Sequence, residues 1–148
     1  YLTGKGDEIR PFFSGFFYIY RAMDKTFQKT EILKSKIVFG DIISDGESAK
    51  KFPFVLIWKK VDTVQEQPLK IAFSVSKKRF PLAVDRNAMK RKIREIYRLN
   101  KADWYSKLEA NYAALLIYTS KEKLEIKEME PKLKQVFDRF IANVDKSN

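Results

Sequence analysis

The stretch from Phe73 to Lys101, FSVSKKRFPLAVDRNAMKRKIREIYRLNK, decides how this sequence folds. Its first residues belong to a run that begins at Lys70 and in which apolar and small polar residues alternate. This pattern predicts a strand with one buried face. Beyond the connector 79–82, apolar residues recur at helical spacing instead. We therefore predict a helix from Arg86 to Lys101, with Asp85 as its N-cap.

The positive charge of the chain is concentrated in the same region. The 148 residues include 30 basic and 19 acidic side chains, giving a net charge of +11. Between Lys70 and Lys101 there are eleven basic and two acidic residues, so this segment alone carries +9. Such an excess is typical of proteins that bind nucleic acid or an anionic membrane. No run approaches the roughly 20 apolar residues that span a bilayer, so no membrane-crossing segment is expected.

The predicted helix has a cationic side and an apolar side. At 100° per residue, Met89, Ile93, Ile96 and Leu99 fall on one side, and an arc of about 140° holds every cation except Lys92. Like charges one turn apart repel by roughly 0.2–0.5 kcal/mol per pair, yet Glu95 is the only acid on the helix. The alternative is a solvated charged face, but the lack of compensating acids favours a face that binds phosphates. The polar residues in this arc are Arg86, Asn87, Lys90, Arg91, Arg94, Arg98 and Lys101.

The strand before the helix has a second face of small polar residues. Ser74 and Ser76 alternate with apolar residues and lead directly into Lys77 and Lys78. Such a face can accept an extended single strand of RNA, with bases against side chains and phosphates against cations. The alternative is that both serines face only solvent.

Upstream of this segment we predict one helix and one strand. The helix runs from Lys36 to Ser44, capped by Ser35 and ended by Gly46. The unbroken apolar run 54–58 is typical of a strand covered on both faces. The residues expected on one face of the helix are Phe39, Ile42 and Ile43.

Downstream we predict a further strand and a final helix. Residues 61–68 are polar and indicate a loop, whereas Ala113 to Tyr118 is an apolar run of strand length. The final helix runs to about Val144, with Pro131 near its first turn. Its apolar residues at helical spacing are Leu133, Val136, Phe137, Phe140, Ile141 and Val144. Together these elements predict an α+β single domain.

The chain contains neither cysteine nor histidine. Without cysteine there is no disulfide framework and no thiolate metal site, which fits a reducing, cytoplasmic compartment. Without histidine the commonest general base and metal ligand is missing. We therefore expect no catalytic residue and no metal site in this chain.

The run from Ser74 to Glu95 resembles the signature of the bacterial ribonuclease P protein subunit. That signature is a strand ending Ser-Val-Ser-Lys-Lys, a short connector to Ala-Val, and a helix of the form Arg-Asn-(Arg)-x-Lys-Arg-x-x-Arg-Glu. The matching residues are Ser74, Val75, Ser76, Lys77, Lys78, Ala83, Val84, Arg86, Asn87, Lys90, Arg91, Arg94 and Glu95. Two departures are Ala88, where the family has Arg, and the connector 79–82, which lacks the usual Gly. With Ala88 in place of Arg, one RNA contact is either missing or supplied by Lys92 or Arg91.

The resemblance implies both a fold and a function. The fold is an αβββαβα domain over residues 23–146, similar to the second domain of ribosomal protein S5, with a left-handed crossover. The implied function is to bind the catalytic RNA of ribonuclease P and the 5′ leader of precursor tRNA, while that RNA and its Mg²⁺ remove the leader. Residues 1–22 lie outside the match and are interpreted as an extension or mis-assigned start, with an extra strand or a membrane-surface anchor as alternatives.

The resemblance also implies which residues contact RNA. The expected contacts with the RNA are Lys77, Lys78, Arg86, Asn87, Lys90, Arg91, Arg94 and Arg98. A cleft for the leader, between the first helix and the sheet, would be lined or flanked by Phe39, Phe54, Ser74 and Ser76. Neither a membrane nor an obligate protein partner is expected.

Two other functions remain open at this point. One is a ribosomal-type or chaperone RNA-binding protein of similar fold. The other is a stand-alone metal-dependent nuclease using Asp85 and Glu95, which lie about three turns apart on the predicted helix and are poorly placed to share an ion.

Overall fold

The computed structural model describes residues 32–33, 36–62 and 65–147. Their order, αβββαβα, confirms the predicted α+β class. Within these residues no helix is long and apolar enough to cross a membrane. The interpretation of residues 1–22 lies outside the described part and stays a prediction. The elements are α1 (Lys36–Asp45), β1 (Glu47–Lys51), β2 (Phe54–Val61), β3 (Leu69–Val75), α2 (Ala83–Ser106), β4 (Asn111–Tyr118) and α3 (Ile126–Ser147).

The four strands form one sheet in the order β1-β2-β4-β3. The β1–β2 and β2–β4 pairs are antiparallel, whereas β3 and β4 are parallel. A parallel pair requires a long crossover, and α2 supplies it. The handedness of this crossover stays a prediction. The residues alone did not predict β1, because its sequence Glu-Ser-Ala-Lys-Lys lacks apolar alternation and it lies at the edge of the sheet; only the order implied by the resemblance includes it.

One face of the sheet carries the main hydrophobic core, against which α2 and α3 pack. Alternate residues of β3 point into it, as the sequence pattern predicted. Trp104 of α2 and Phe137 of α3 stack with ring centroids 3.9 Å apart and planes 5° apart. All six apolar residues predicted to face inward from the final helix are buried.

The other face of the sheet is covered in part by α1. Ile42 is fully buried there, whereas Ile43, predicted to share its face, is 65 % exposed because the next helical position turns away. Gly46 ends α1 where the chain passes close to β2. A Cβ at Gly46 would lie 2.3 Å from the Ile42 carbonyl oxygen and 2.9 Å from that of Trp58, so the close approach requires glycine.

The predicted start of α2 is wrong by three residues. The helix begins at Ala83, and Leu82 occupies the N-cap position without a side-chain hydrogen bond. Asp85 lies in the first turn, where its carboxylate pairs with Lys123 at 2.9 Å (Nζ–Oδ1). A carboxylate in the first turn still interacts favourably with the helix dipole, so the sequence signal was electrostatic rather than a cap.

Candidate RNA interface

The packing of α2 turns much of its cationic side outward. Met89, Ile93 and Ile96 are buried in the main core, and Arg91 on the opposite flank is exposed. The connector before α2 adds further exposed cations. We use the name α2 basic surface for the group Lys77, Lys78, Arg79, Lys90, Arg91 and Arg94. Among the described residues, none of these six side chains pairs with a carboxylate.

Arg94 links the α2 basic surface to the sheet. Its guanidinium carbon lies 5.8 Å from the centroid of the Phe73 ring on β3. A cation over an aromatic face is attracted by the ring quadrupole, and Arg keeps its in-plane donors available in that geometry. Arg94 is therefore held at the edge strand of the sheet with donors facing solvent.

Arg86 has a structural role in the free protein. Its Nη1 donates hydrogen bonds to the carbonyl oxygens of Phe80 (2.8 Å) and Pro81 (2.9 Å). These bonds fix the connector that joins β3 to α2. The contact of Arg86 with RNA stays a prediction, for which only its remaining N–H donors are available.

Arg86→Gln should lower the free energy of unfolding by about 1–3 kcal/mol, because two carbonyl oxygens lose a charged donor. Arg91→Gln is the matched control, and its exposed side chain predicts a change within about 0.5 kcal/mol. Urea denaturation of both variants measures the difference. Equal stability of the two variants would contradict the structural role of Arg86.

Arg98 is partly neutralised by Glu95. Its Nε and Nη2 donate to the two carboxylate oxygens of Glu95 at 3.1 and 2.7 Å. The hydrogen bond from Arg98 holds the pKa of Glu95 below its ordinary value, against a smaller opposing effect of burial. Arg98 therefore presents less net charge to RNA than Arg91 or Arg94.

Glu95→Gln should strengthen RNA binding, because it removes the negative charge beside Arg98. If Arg98 then meets a phosphate, the slope of log K against log[salt] steepens by roughly 0.7–0.9. Glu109→Gln removes the same charge from an exposed site beyond α2 and serves as the control. Salt titrations that give both variants the same slope would contradict this account of Arg98.

The buried side of α2 is wider than its apolar residues indicated. Lys101, assigned to the cationic arc from the sequence, is only 1 % exposed. It lies one turn from both Tyr97 and Tyr105, whose hydroxyls hydrogen-bond each other at 2.8 Å inside the core. Leu99, placed on the apolar side, is instead 43 % exposed. The helix is rotated so that its amphipathic tyrosines, rather than Leu99, face the sheet.

The Lys92 ammonium group is bonded to the segment that precedes α3. Its Nζ lies 3.3 Å from the Leu124 carbonyl oxygen and 3.4 Å from Oε1 of Glu125. Of the two residues expected to replace the Arg missing at Ala88, only Arg91 has no such partner among the described residues.

A row of residues crosses the α1 side of the sheet next to the α2 basic surface. The strand register places Val55 opposite Ile117, and Ile117 opposite Ser74. All three side chains are half-buried, so they form an apolar floor with a hydroxyl at the β3 edge. Ser76 follows on the same face, and its Oγ accepts a hydrogen bond from the Lys78 N–H at 3.1 Å. We call Val55, Ile117 and Ser74 the sheet row.

Phe54, which was predicted for the leader cleft, points away from the sheet row. Phe54 is fully buried on the opposite face, where its ring packs edge-on against Tyr118 with centroids 5.7 Å apart. This corrects its assignment to the cleft, because neighbouring strand residues point to opposite faces. Val55, its neighbour, is the residue of β2 in the sheet row, where Ile117 lies between it and Ser74. Phe39 lies in α1, but its side chain is outside the described part, so its role stays a prediction.

The fold and these surfaces define the class: an α+β domain with a cationic helix beside the open row of a sheet, a candidate RNA-binding protein. The family model for ribonuclease P matches residues 27–141, most of the chain. The chain therefore belongs to the ribonuclease P family.

Relatives and solved structures agree with this assignment. The ribonuclease P protein component of Chlorobaculum tepidum is 38 % identical over 74 residues, which cover 48 % of each chain. That of Porphyromonas gingivalis is 27 % identical over 80 % of this chain and 89 % of its own length. The chain thus spans about half the length of the former relative and most of the latter.

The solved structures show the same fold. The ribonuclease P protein of Staphylococcus aureus superposes with a TM-score of 0.61 at 23 % identity, covering 73 % of this chain and 93 % of its own. That of Thermotoga maritima gives a TM-score of 0.60 at 24 % identity, covering 74 % and 96 %.

Proposed function

We propose that this chain is the protein subunit of ribonuclease P and acts in the bacterial cytoplasm. In this role it binds the catalytic RNA and the 5′ leader of precursor tRNA, and so supports removal of the leader to give the mature 5′ end. The single observation that carries the proposal is the α2 basic surface, whose six cations have no carboxylate partner among the described residues. The family assignment supports the identity of the RNA.

The proposed division of labour leaves the chemistry to the RNA. The chain lacks histidine and cysteine, and no three carboxylates converge within the described residues. Mg²⁺ prefers oxygen ligands and keeps part of its water shell, so we propose that it is held mainly by phosphate oxygens of the RNA. The cations of the protein would then reduce the repulsion between two polyanions, the catalytic RNA and its substrate.

The sheet row is the proposed path of the leader. Bases of a single strand would pack on Val55 and Ile117, and phosphates would meet Lys77 and Lys78 beyond the Ser74 edge. Stacking and apolar contacts tolerate any base, and the cations follow the backbone whatever its sequence. This arrangement suits a leader that differs from one tRNA to the next.

Reconstitution tests the proposed function. The purified chain alone should leave precursor tRNA intact, whereas the chain together with its cognate catalytic RNA should cleave at the mature 5′ end at a Mg²⁺ concentration too low for the RNA alone. Cleavage by the chain without RNA, or no gain when it is added to the RNA, would contradict the proposal. Co-purification with ribosomal subunits would favour a ribosomal-type protein instead.

Ser74→Glu tests the path of the leader. A carboxylate at this edge would repel the leader phosphates, so we expect about fivefold weaker binding of precursor tRNA to the holoenzyme. Binding of mature tRNA, which has no leader, should not change. Ser106→Glu adds the same charge at the far end of α2 as a control. An equal loss for both tRNAs would place the leader elsewhere.

A further inference from the structure

A cationic groove lies at the edge of the sheet opposite the α2 basic surface. Strand β1 forms that edge, and one flank of α3 faces it. The groove has a volume of about 410 Å³, and its lining includes three cations and no acid. We call it the β1–α3 groove; its lining residues are Ser48, Ala49, Lys50, Arg139, Ala142, Asn143 and Lys146.

The guanidinium of Arg139 is fixed in this groove. Its Nη1 donates a hydrogen bond to the carbonyl oxygen of Lys50. One of five N–H donors is used in this way, which leaves the others for a ligand. Within the described part of the chain, no carboxylate lies within ion-pair distance of Lys50, Arg139 or Lys146. The groove therefore concentrates positive charge that the protein itself does not neutralise.

The edge of β1 adds backbone donors to these cations. The Lys50 carbonyl points away from β2, since it accepts from Arg139 on α3. In an antiparallel pair, the residues whose backbone groups face outward alternate along the strand, and each presents both its N–H and its C=O. The N–H groups of Lys50 and Ser48 therefore also point out of the sheet edge. A concave set of backbone N–H groups beside cations is a recognised arrangement for binding anions.

We propose that the β1–α3 groove binds a backbone phosphate of the catalytic RNA, separately from the α2 basic surface. The proposal rests on the proposed function for the identity of the RNA. A planar guanidinium and paired N–H donors match the oxygens of a phosphate. The two edges of a four-stranded sheet are about 14 Å apart, farther than the screening length of about 8 Å at physiological salt. The two surfaces therefore contact different phosphates of the RNA.

The double variant Lys50→Gln, Lys146→Gln tests this proposal. It removes two charges and keeps both the Lys50 carbonyl and its bond with Arg139. We expect the slope of log K against log[salt] for the full chain and its catalytic RNA to flatten by roughly 0.7–0.9, the value for one lost phosphate contact. The control Lys121→Gln, Lys134→Gln removes two exposed lysines outside the groove and should leave the slope unchanged. Hydroxyl-radical footprinting should show protections lost at nucleotides distinct from those that depend on Arg91.

The outcomes separate the two proposals. Suppose that replacing Lys90, Arg91 and Arg94 by glutamine flattens the slope, whereas the groove variant matches its control. The groove proposal is then overturned and the proposed function stands. If neither set of variants changes the slope, the proposed function itself fails. Loss of binding to anionic lipid vesicles, with RNA binding intact, would show that the groove serves a membrane and would also overturn the proposal.

Discussion

Replacing Lys90, Arg91 and Arg94 together by glutamine should weaken binding of the catalytic RNA by about 10²-fold near physiological salt. Each phosphate contact adds roughly 0.7–0.9 to the slope of log K against log[salt], so three lost contacts flatten it by roughly 2.1–2.7. The effect is large because no described carboxylate compensates these cations, so their field is directed at the partner. Equilibrium binding at several salt concentrations measures both quantities.

A matched variant excludes a simple effect of net charge. Lys121, Lys127 and Lys134 are exposed and lie outside the α2 basic surface. Changing these three lysines to glutamine removes the same charge and should alter the slope little. Equal slopes for the two triple variants would mean that the α2 basic surface is an ordinary solvated face. The α2 variant should lose no more than about 1 kcal/mol of stability, because its cations make no described ion pair and only Arg94 contacts a ring.

Phe137→Ala should lower the free energy of unfolding by about 3–5 kcal/mol. The Phe137 ring stacks on that of Trp104 with centroids 3.9 Å apart. Its centroid lies 5.8 Å from that of Tyr97 and 6.1 Å from that of Phe140. Removing it leaves a cavity between α2 and α3 that such large rings cannot close. Urea denaturation with an unchanged m-value measures the loss.

Two further variants keep this stability prediction testable. Lys134→Ala lies on the exposed side of α3 and should change stability by no more than about 0.5 kcal/mol. Phe137→Leu keeps most of the volume and should cost about 1–2 kcal/mol, which remains measurable if the alanine variant fails to fold. A loss below about 1 kcal/mol for Phe137→Ala would contradict the packing of α3 on α2.

The sequence predicted those features that depend on local periodicity. The alternation that ends at Val75 placed β3 and the faces of Ser74 and Ser76 correctly, because strand residues point to opposite faces whatever their surroundings. The helical spacing of α3 was equally decisive, since its apolar residues share one side. The αβββαβα order rested on the family resemblance rather than on the residues alone, because β1 has no apolar pattern.

Features set by tertiary packing were not predicted. Periodicity gave the two faces of α2, but not the rotation that buries Lys101 and exposes Leu99. The family resemblance assigned Phe54 to the cleft, and only the strand register shows that Val55, not Phe54, shares a face with Ser74. Asp85 was predicted as the N-cap because an acid near a helix start can either cap the helix or interact with its dipole. In the structure Leu82 is at the N-cap, and the Asp85 carboxylate in the first turn pairs with Lys123. The β1–α3 groove joins residues almost 90 positions apart, as in the Arg139–Lys50 bond, so no local pattern could indicate it.

The most direct test of the central claim is to sequence the RNA that co-purifies with the full chain from its own cells, and to assay that RNA with Mg²⁺ on precursor tRNA. We expect one discrete RNA that cleaves precursor tRNA at the mature 5′ end. We also expect that the triple variant of Lys90, Arg91 and Arg94 recovers much less of that RNA. A mixture of ribosomal RNAs, or equal recovery by the triple variant, would contradict the central claim.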